Sequence, residues 1–359
     1  MRYKEDPLFA EERKRHPALA LLLLLVLTLL CIALVLNHIN NCRVDLLKET
    51  VTVPTLPSSL EGFRILHISD LHGLWFGQTQ DRLRDTLASA RYDIVCVTGD
   101  VTGPDGSFDA FLSLIDLFDT EKTPVYFIPG DEDPPALTGA ADSDGPKSAF
   151  VRAAEEHGAV FLDAPLKIVE GKISLWLSPE WTYTLDINGL DEQYADYLSG
   201  CRSQPPSPER DAAMAYWEYQ IGQVNRIRAA RREMLEGDVH VALTHHPLQL
   251  SALQTLQEWT STDNDSYVRT VSLVLSGHYV GGQWRLPGVG AVRVPESAET
   301  GNGGWFPDDS RVVGLSSFLG VPQYISPGLG TSSAIALPPL RLFNTPSVTI
   351  LTLTSRLTH

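Results

Sequence analysis

The sequence predicts an α/β fold set behind one apolar N-terminal helix, and three observations carry that expectation. Strand-like apolar runs alternate with helix-length segments from residue 64 onward. Several of those runs end in Asp or His: Ser69-Asp70-Leu71-His72, Gly99-Asp100, Thr244-His245-His246 and Gly277-His278. A charge-free run, Ala18 to Leu36, precedes them all. Strands alternating with helices imply βαβ units, and open α/β sheets place their sites beyond the carboxyl ends of strands.

The apolar run holds 19 residues with Thr28 as its one hydroxyl, close to the roughly 20 that cross a bilayer. It exceeds the apolar region of about 7–15 residues in a cleavable signal, and no clean Ala-x-Ala follows it. Arg2, Lys4, Arg13, Lys14 and Arg15 precede it, whereas only Arg43 and Lys48 closely follow. The positive-inside rule then leaves residues 1–17 in the cytoplasm and the large domain outside, a single-pass protein of the cell membrane. A buried core helix is the competing reading, opposed by the length and the flanking charges.

Residues 37–60 are polar and then carry Pro54 and Pro57, which reads as a stalk. The domain proper is expected over 61–359. Strands are expected at Arg64–Ser69, Asp93–Thr98, Pro124–Ile128, Ala159–Leu162, Lys167–Glu170 and Ile173–Leu177. Between them fall helices at Gln80–Ala90, with Leu83, Leu87 and Ala90 on one face, at Phe108–Phe118 and at Ser148–His157. Residues 180–238 interrupt the alternation as an insertion. Ser207 as N-cap, Pro208 at the first helical position and Gly237 beyond the end frame one long helix there. Its stripe is Met214, Trp217, Ile221, Val224 and Ile227. Its basic end, Arg226, Arg228, Arg231 and Arg232, reads as a packing helix with favourable dipole placement, or as a lid or arm against anionic lipid. Strands resume at Val239–Thr244 and Thr270–Ser276 around a helix at Leu248–Trp259, and Ser347–Thr354 is the last.

A formal net charge of −16 opposes a nucleic-acid partner, which demands clustered Lys and Arg. A small phosphoester stays open, because metal ions supply positive charge locally. The four cysteines, with Cys31 in the apolar run and Cys96 in a strand, suggest no disulfide framework. A single uninterrupted span opposes a channel or transporter.

Carboxylates and imidazoles delivered to one sheet edge suit divalent metals. Two cations about 3.5–4 Å apart polarise a phosphoryl oxygen and turn a bridging water into hydroxide at neutral pH. Asp70 and His72 share a side of an extended segment and can bind one ion. Asp100 is placed to bridge, and Asp131, His245 and His278 can complete the second ion. Either short motif alone reads as a turn or cap. His67 reads as a packed core histidine, and Arg285 as a weak candidate for substrate phosphate with a surface role as the alternative.

The order of these motifs resembles the calcineurin-like metallophosphoesterases, whose pattern runs Asp-x-His, Gly-Asp-x-x-Asp, Gly-Asn-His-Asp/Glu, His, Gly-His-x-His. Within that family the chain is similar to a bacterial membrane-anchored branch, through Gly277-His278-Tyr279-Val280-Gly281-Gly282-Gln283-Trp284-Arg285-Leu286-Pro287. The resemblance runs from about Phe63 to the end, apart from the insertion. It implies a four-layer α/β/β/α sandwich of two mixed sheets, two divalent ions (Mn, Zn, Fe or Mg) and hydrolysis of phosphate mono- or diesters by metal-bound hydroxide. It also ranks His246 as a neighbour of the ligand His245 rather than a ligand.

The departures from the pattern bear on activity. Gly130-Asp131-Glu132-Asp133 puts Asp131 where the family has an Asn ligand, adding a charge that favours a hard ion such as Mn²⁺ or Mg²⁺. Glu132 replaces the His that protonates the ester and can act as an acid only if burial raises its pKa. Val280 removes a first-metal ligand, thinning that site to Asp70, His72 and Asp100. Gly103 and Pro327 stand where an Asp and often an Arg are found. Two functions follow: a phosphoesterase with Asp100 bridging and Glu132 as acid, its substrate envelope- or lipid-derived, or a catalytically impaired relative acting as an envelope binding module.

Overall fold

The computed structural model describes residues 17–141, 143–169, 173–179, 182, 187–248, 271–295, 303–318, 320–333 and 337–356. The expected cytoplasmic segment (all but residue 17) and the expected helix after Leu248 lie outside the described residues.

Two six-stranded mixed sheets form the body of the molecule. The first runs β1 (Asp45–Thr52), β16 (Ser347–Thr354), β2 (Arg64–Ile68), β3 (Ile94–Thr98), β4 (Val125–Ile128), β5 (Ala159–Phe161). The second runs β14 (Gly314–Phe318), β15 (Val321–Ile325), β9 (Leu273–Ser276), β8 (Val239–Leu243), β7 (Leu175–Pro179), β6 (Leu166–Val169). β2 to β5 pair in parallel, as do β7, β8, β9 and β15, so their carboxyl ends gather at common edges. Short hairpins β10 (Arg285–Leu286) with β11 (Gly290–Ala291), and β12 (Arg293–Val294) with β13 (Gly304–Trp305), follow the last ligand strand.

Every residue of β3, β8 and β9 is buried. That continuous apolar character is what parallel strands covered on both faces require. Ile65, Ile94, Cys96 and Leu351 of the first sheet pack against Leu177, Val241, Leu273 and Tyr324 of the second, forming the central layer. Helices α2 (Asp81–Leu87), α3 (Asp109–Ile115) and α4 (Ala149–Glu156) cover the outer face of the first sheet. There Phe111, Phe127 and Phe150 meet with ring centroids 5.6–5.9 Å apart. On the second sheet, Ala230 and Met234 of the insertion pack on Trp176. The four-layer sandwich is therefore present.

The insertion is two helices rather than one helix behind a loop: α5 (Ile187–Arg202) packs along α6 (Pro208–Glu233). Ser207 caps α6 by accepting a hydrogen bond from Arg210 N at 3.2 Å, as the Ser-Pro pair implies. Three of the four arginines at its basic end are engaged within the chain, while Arg232 is exposed. Arg226 pairs with Asp163 at 2.5 Å, Arg228 with Asp191 at 2.8 Å, and Arg231 donates to Thr182 O at 2.5 Å. These contacts favour the packing helix over a lipid-binding arm.

The segment expected as a stalk is part of the domain. Helix α1 (Pro17–Asn41) runs past the apolar stretch, and β1 then pairs in parallel with β16 over its whole length. Period-two patterning in Asp45–Thr52 is weak because β1 is an edge strand with much of one face in solvent, so polarity hid it. The end of α1 is fastened to the domain. Asn37 and Asn41 amides both donate to Arg341 O, at 2.8 and 2.6 Å, and Asn37 Oδ1 accepts from Phe343 N at 2.7 Å. Arg341 is itself buried, its guanidinium donating to the carbonyls of Asn344, Gly330 and Pro327 at 2.8 Å each.

Replacing Arg341 by Met strips three buried carbonyls of their donors, each worth about 1–3 kcal/mol when left unpaired. Denaturant unfolding of that variant is expected to show a loss of at least about 3 kcal/mol. Arg341→Lys is expected to recover little of it, since one ammonium lacks the planar five-donor fork.

Candidate metal centre

Five strand ends converge on one buried volume. Asp70 and His72 follow β2, Asp100 follows β3, Asp131 and Glu132 follow β4, His245 and His246 follow β8, and His278 follows β9. Three groups of possible ligand atoms result, each lying within 4.8 Å of one another: Asp70, His72 and Asp100; Asp100, His245 and His278; and Asp131, His246 and His278. Asp100 belongs to two groups, the position expected of a bridging carboxylate.

The backbone reaches this arrangement by leaving the extended region. Asp70, His72, Asp100, His278 and Val280 all have positive φ, at 52°, 48°, 53°, 74° and 51°. The Asp70 and His72 side chains thus meet through left-handed turns, not by alternation along a strand. Non-glycine residues in this region each store roughly 1–3 kcal/mol, and such strain concentrates at functional sites. Two glycines permit the close approach. A Cβ on Gly130 would lie 2.3 Å from Asp100 Oδ1, and one on Gly277 would lie 2.8 Å from Asp70 Oδ2.

Each carboxylate is held by donors. Asp70 accepts the Ser69 hydroxyl and, at 2.9 Å, the His278 amide. Asp100 Oδ1 accepts Glu132 N at 2.8 Å while Oδ2 lies 3.1 Å from His245 Nε2. His245 Nδ1 lies 2.8 Å from Thr98 O, which assigns the proton to Nδ1 and leaves Nε2 for the cluster. Asp131 is half-exposed. It lies 2.8 Å from His246 Nε2 and 3.6 Å from His278 Nδ1, so His246 enters the cluster through Asp131, a contact that its expected role as a bystander did not include.

Charges in this small volume shift one another. Burial would lower His245, but the neighbouring carboxylates Asp100 and Asp70 push it up to about 10. Burial and the nearby His246 and His245 drive His278 down to about 3. Burial alone would raise Asp100, yet contact with His245 keeps it below the usual carboxylate value. Burial raises Asp70. Burial would lower His72 too, but Glu132, Asp70 and Asp100 raise it.

The residues fit divalent ions. Both ring nitrogens of His72 and Nε2 of His278 are buried without a hydrogen-bond partner, at about 1–3 kcal/mol each, and coordination would remove that cost at one nitrogen of each ring. Mixed carboxylate and imidazole donors suit Mn, Zn or Fe. Val280 is fully buried and offers no donor. Glu132 instead lies beside the thinned site, Oε2 being 3.3 Å from His72 Nδ1 without hydrogen-bond alignment, and Oε1 accepting Ser332 Oγ–H at 2.7 Å.

Other expectations fare differently. His67 is a core histidine, fully buried, with Nε2 2.9 Å from Thr98 Oγ1 and its pKa lowered to about 3 by burial. Arg285, expected as a weak phosphate contact, is occupied by Gly281 O at 2.8 Å and Asp309 at 2.6 Å. It braces the loop after His278. Asp133 had no expected role, yet its buried carboxylate accepts Val101 N, Thr102 N and Gly130 N at 2.8–2.9 Å. It ties the β4 loop to the β3 loop. The one sequence signal for it is its place as the last residue of the Gly-Asn-His-Asp/Glu pattern, matched here by Gly130-Asp131-Glu132-Asp133.

A family model described as calcineurin-like phosphoesterase matches residues 63–281. No curated protein matches the chain. Among solved structures, the phosphopantetheinyl hydrolase of Mycobacterium tuberculosis is similar at 15% identity, covering 75% of this chain and 91% of that one, with a TM-score of 0.33.

A coordinating imidazole must be neutral, so an ion entering beside His245 displaces a proton held up to about pH 10. Loading ion-free protein with Mn²⁺ at pH 7.5 in weak buffer is expected to release at least one proton per chain, that of His245. Apparent affinity should rise about tenfold per pH unit below that value, as one-proton competition requires.

Proposed function

The chain belongs to the calcineurin-like phosphoesterase family, and from that premise we propose that it is a metal-dependent hydrolase of phosphate mono- or diesters, envelope- or lipid-derived, anchored in the cell membrane by α1 with its domain outside. The observation that carries the reading is the sharing of Asp100 between two groups of buried ligand atoms. Divalent ions bound there supply Lewis-acid polarisation of the phosphoryl oxygen and acidify a bound water.

The protein's own groups have separable tasks in this proposal. Asp70, His72 and Asp100 would hold one ion, and Asp100, His245 and His278 the other, with Asp131 brought to the second through His278. The Thr98 carbonyl orients His245, and the Glu132 amide orients Asp100. Glu132 is the candidate proton donor to the leaving alcohol. It stands in the loop that carries Asp131, is partly open to solvent and is steadied by Ser332. Within α1, Ala18–Asn41 is a 24-residue candidate span whose most apolar stretch is exposed, which supports the anchor. The N-terminal basic residues support its orientation.

A second reading is favoured by Val280 and Glu132 together: a relative that keeps the fold and one ion, and binds an envelope ligand without turnover.

Full-length protein, assayed with Mn²⁺ and bis(p-nitrophenyl) phosphate, is expected to carry two ions by elemental analysis and to turn over. Asp100→Ala is expected to lose at least about 100-fold in rate and at least one ion; parity with wild type overturns the hydrolase reading. One ion and no turnover in the wild type establishes the second reading. Glu132→Gln keeps shape but removes the proton, so kcat is expected to fall about 100-fold with ion content preserved. Loss of ion instead would assign Glu132 to holding His72.

A further inference from the structure

A cavity of about 440 Å³ opens beside the ion cluster, within the range of small-molecule sites. Its lining joins three parts of the chain: Leu162 and Leu243 from strand ends, Leu190, Val224 and Ile227 from α5 and α6, and His245 from the cluster. The insertion helices, which no feature of the reaction requires, thus form one wall of a chamber that reaches a candidate ligand of the second ion.

The chemistry of the wall is apolar. Several polar side chains on it already bond within the chain: the Gln223 amide donates to Asp163 O at 2.8 Å, the Gln220 amide to Tyr216 Oη at 3.0 Å, and the Asp163 carboxylate holds Tyr219 and Arg226 at 2.5 Å. A sugar or nucleobase placed there would meet mostly apolar side chains and few partners for its many donors and acceptors, at a cost. An alkyl or aryl group would lose only its contact with water, which favours its binding.

We propose that this cavity is a specificity subsite for the apolar alcohol portion of a phosphoester, an alkyl or aryl group lying along α5 and α6 while its phosphate meets the ion cluster at His245. The proposal rests on the phosphoesterase reading and adds the substrate class to it.

The test uses full-length protein in nanodiscs, so that no detergent chain competes, and two soluble probes, methylphosphonate and hexylphosphonate, with Mn²⁺ present. Hexylphosphonate is expected to bind at least tenfold more tightly, about 1.4 kcal/mol, and hexyl nitrophenyl phosphate to exceed the methyl ester in kcat/KM by a similar ratio. Val224→Trp, which fills the cavity, is expected to bring both ratios toward one. Leu190→Trp repeats the test from the other helix should the first variant fail to fold. Equal binding of the two phosphonates by the wild type overturns the subsite. Tight, chain-length-dependent binding without any hydrolysis upholds it while sinking the hydrolase reading, so the two fail separately. A long-chain ester presented in vesicles, compared with the soluble hexyl ester, tells whether the apolar group comes from a lipid or from a soluble metabolite.

Discussion

Crowding of like charge at one edge of the sandwich is the constraint around which the rest is arranged. Asp70 and Asp100 are both buried, within reach of each other and of three imidazoles. Isolated carboxylates in such a place are costly unless positive charge joins them. Without an ion, the proton on His245 supplies part of that charge, the neighbouring carboxylates shift His72 toward its charged form, and burial raises Asp70 toward its neutral form. Arg341, buried and attracted by the Asp70 carboxylate, adds a cation even though burial lowers its pKa to about 9. Divalent ions would complete the balance and relieve the orphaned nitrogens of His72 and His278. The left-handed backbone at five site positions is tolerated because these contacts overdetermine it.

Much of this was legible in the residues. The strands ending in Asp and His were visible because parallel strands buried on both faces are long apolar words, with a polar ligand two or three letters after each. The Ser-Pro start of α6 was equally readable from capping chemistry. β1 was missed because an edge strand half in solvent looks like a polar linker, and α5 because its stripe is short and interleaved with acids. Asp133 and Arg341 escaped for a different reason. Their roles depend on which carbonyls and amides lie opposite, and those partners come from loops up to 32 residues away for Asp133 and from carbonyls within 14 residues for Arg341. Nothing about an isolated Asp or Arg announces that.

The departures from the family pattern read differently in three dimensions than along the chain. Loss of the imidazole at Val280 leaves apolar packing in its place, while the carboxylate nearest the depleted ligand set is Glu132. The residue that replaces the family's acid is therefore also the group best placed to compensate, electrostatically, for the missing donor. His246 is drawn in by Asp131, whose extra charge the family's Asn lacks. Substitutions at 131, 132 and 280 thus belong to one rearrangement of charge, not to three independent losses.

The junction of α1 with the domain has a kinetic corollary. Two asparagine amides on one carbonyl leave no free hinge between the apolar helix and the sandwich, and that carbonyl belongs to the arginine which backs Asp70. With α1 embedded in a bilayer as proposed, the reaction chamber stands at a fixed height and tilt above the lipid surface. For a substrate that is itself a lipid, encounters would then be governed by lateral diffusion in two dimensions, and turnover would scale with its mole fraction in the leaflet, not with its concentration in bulk solution.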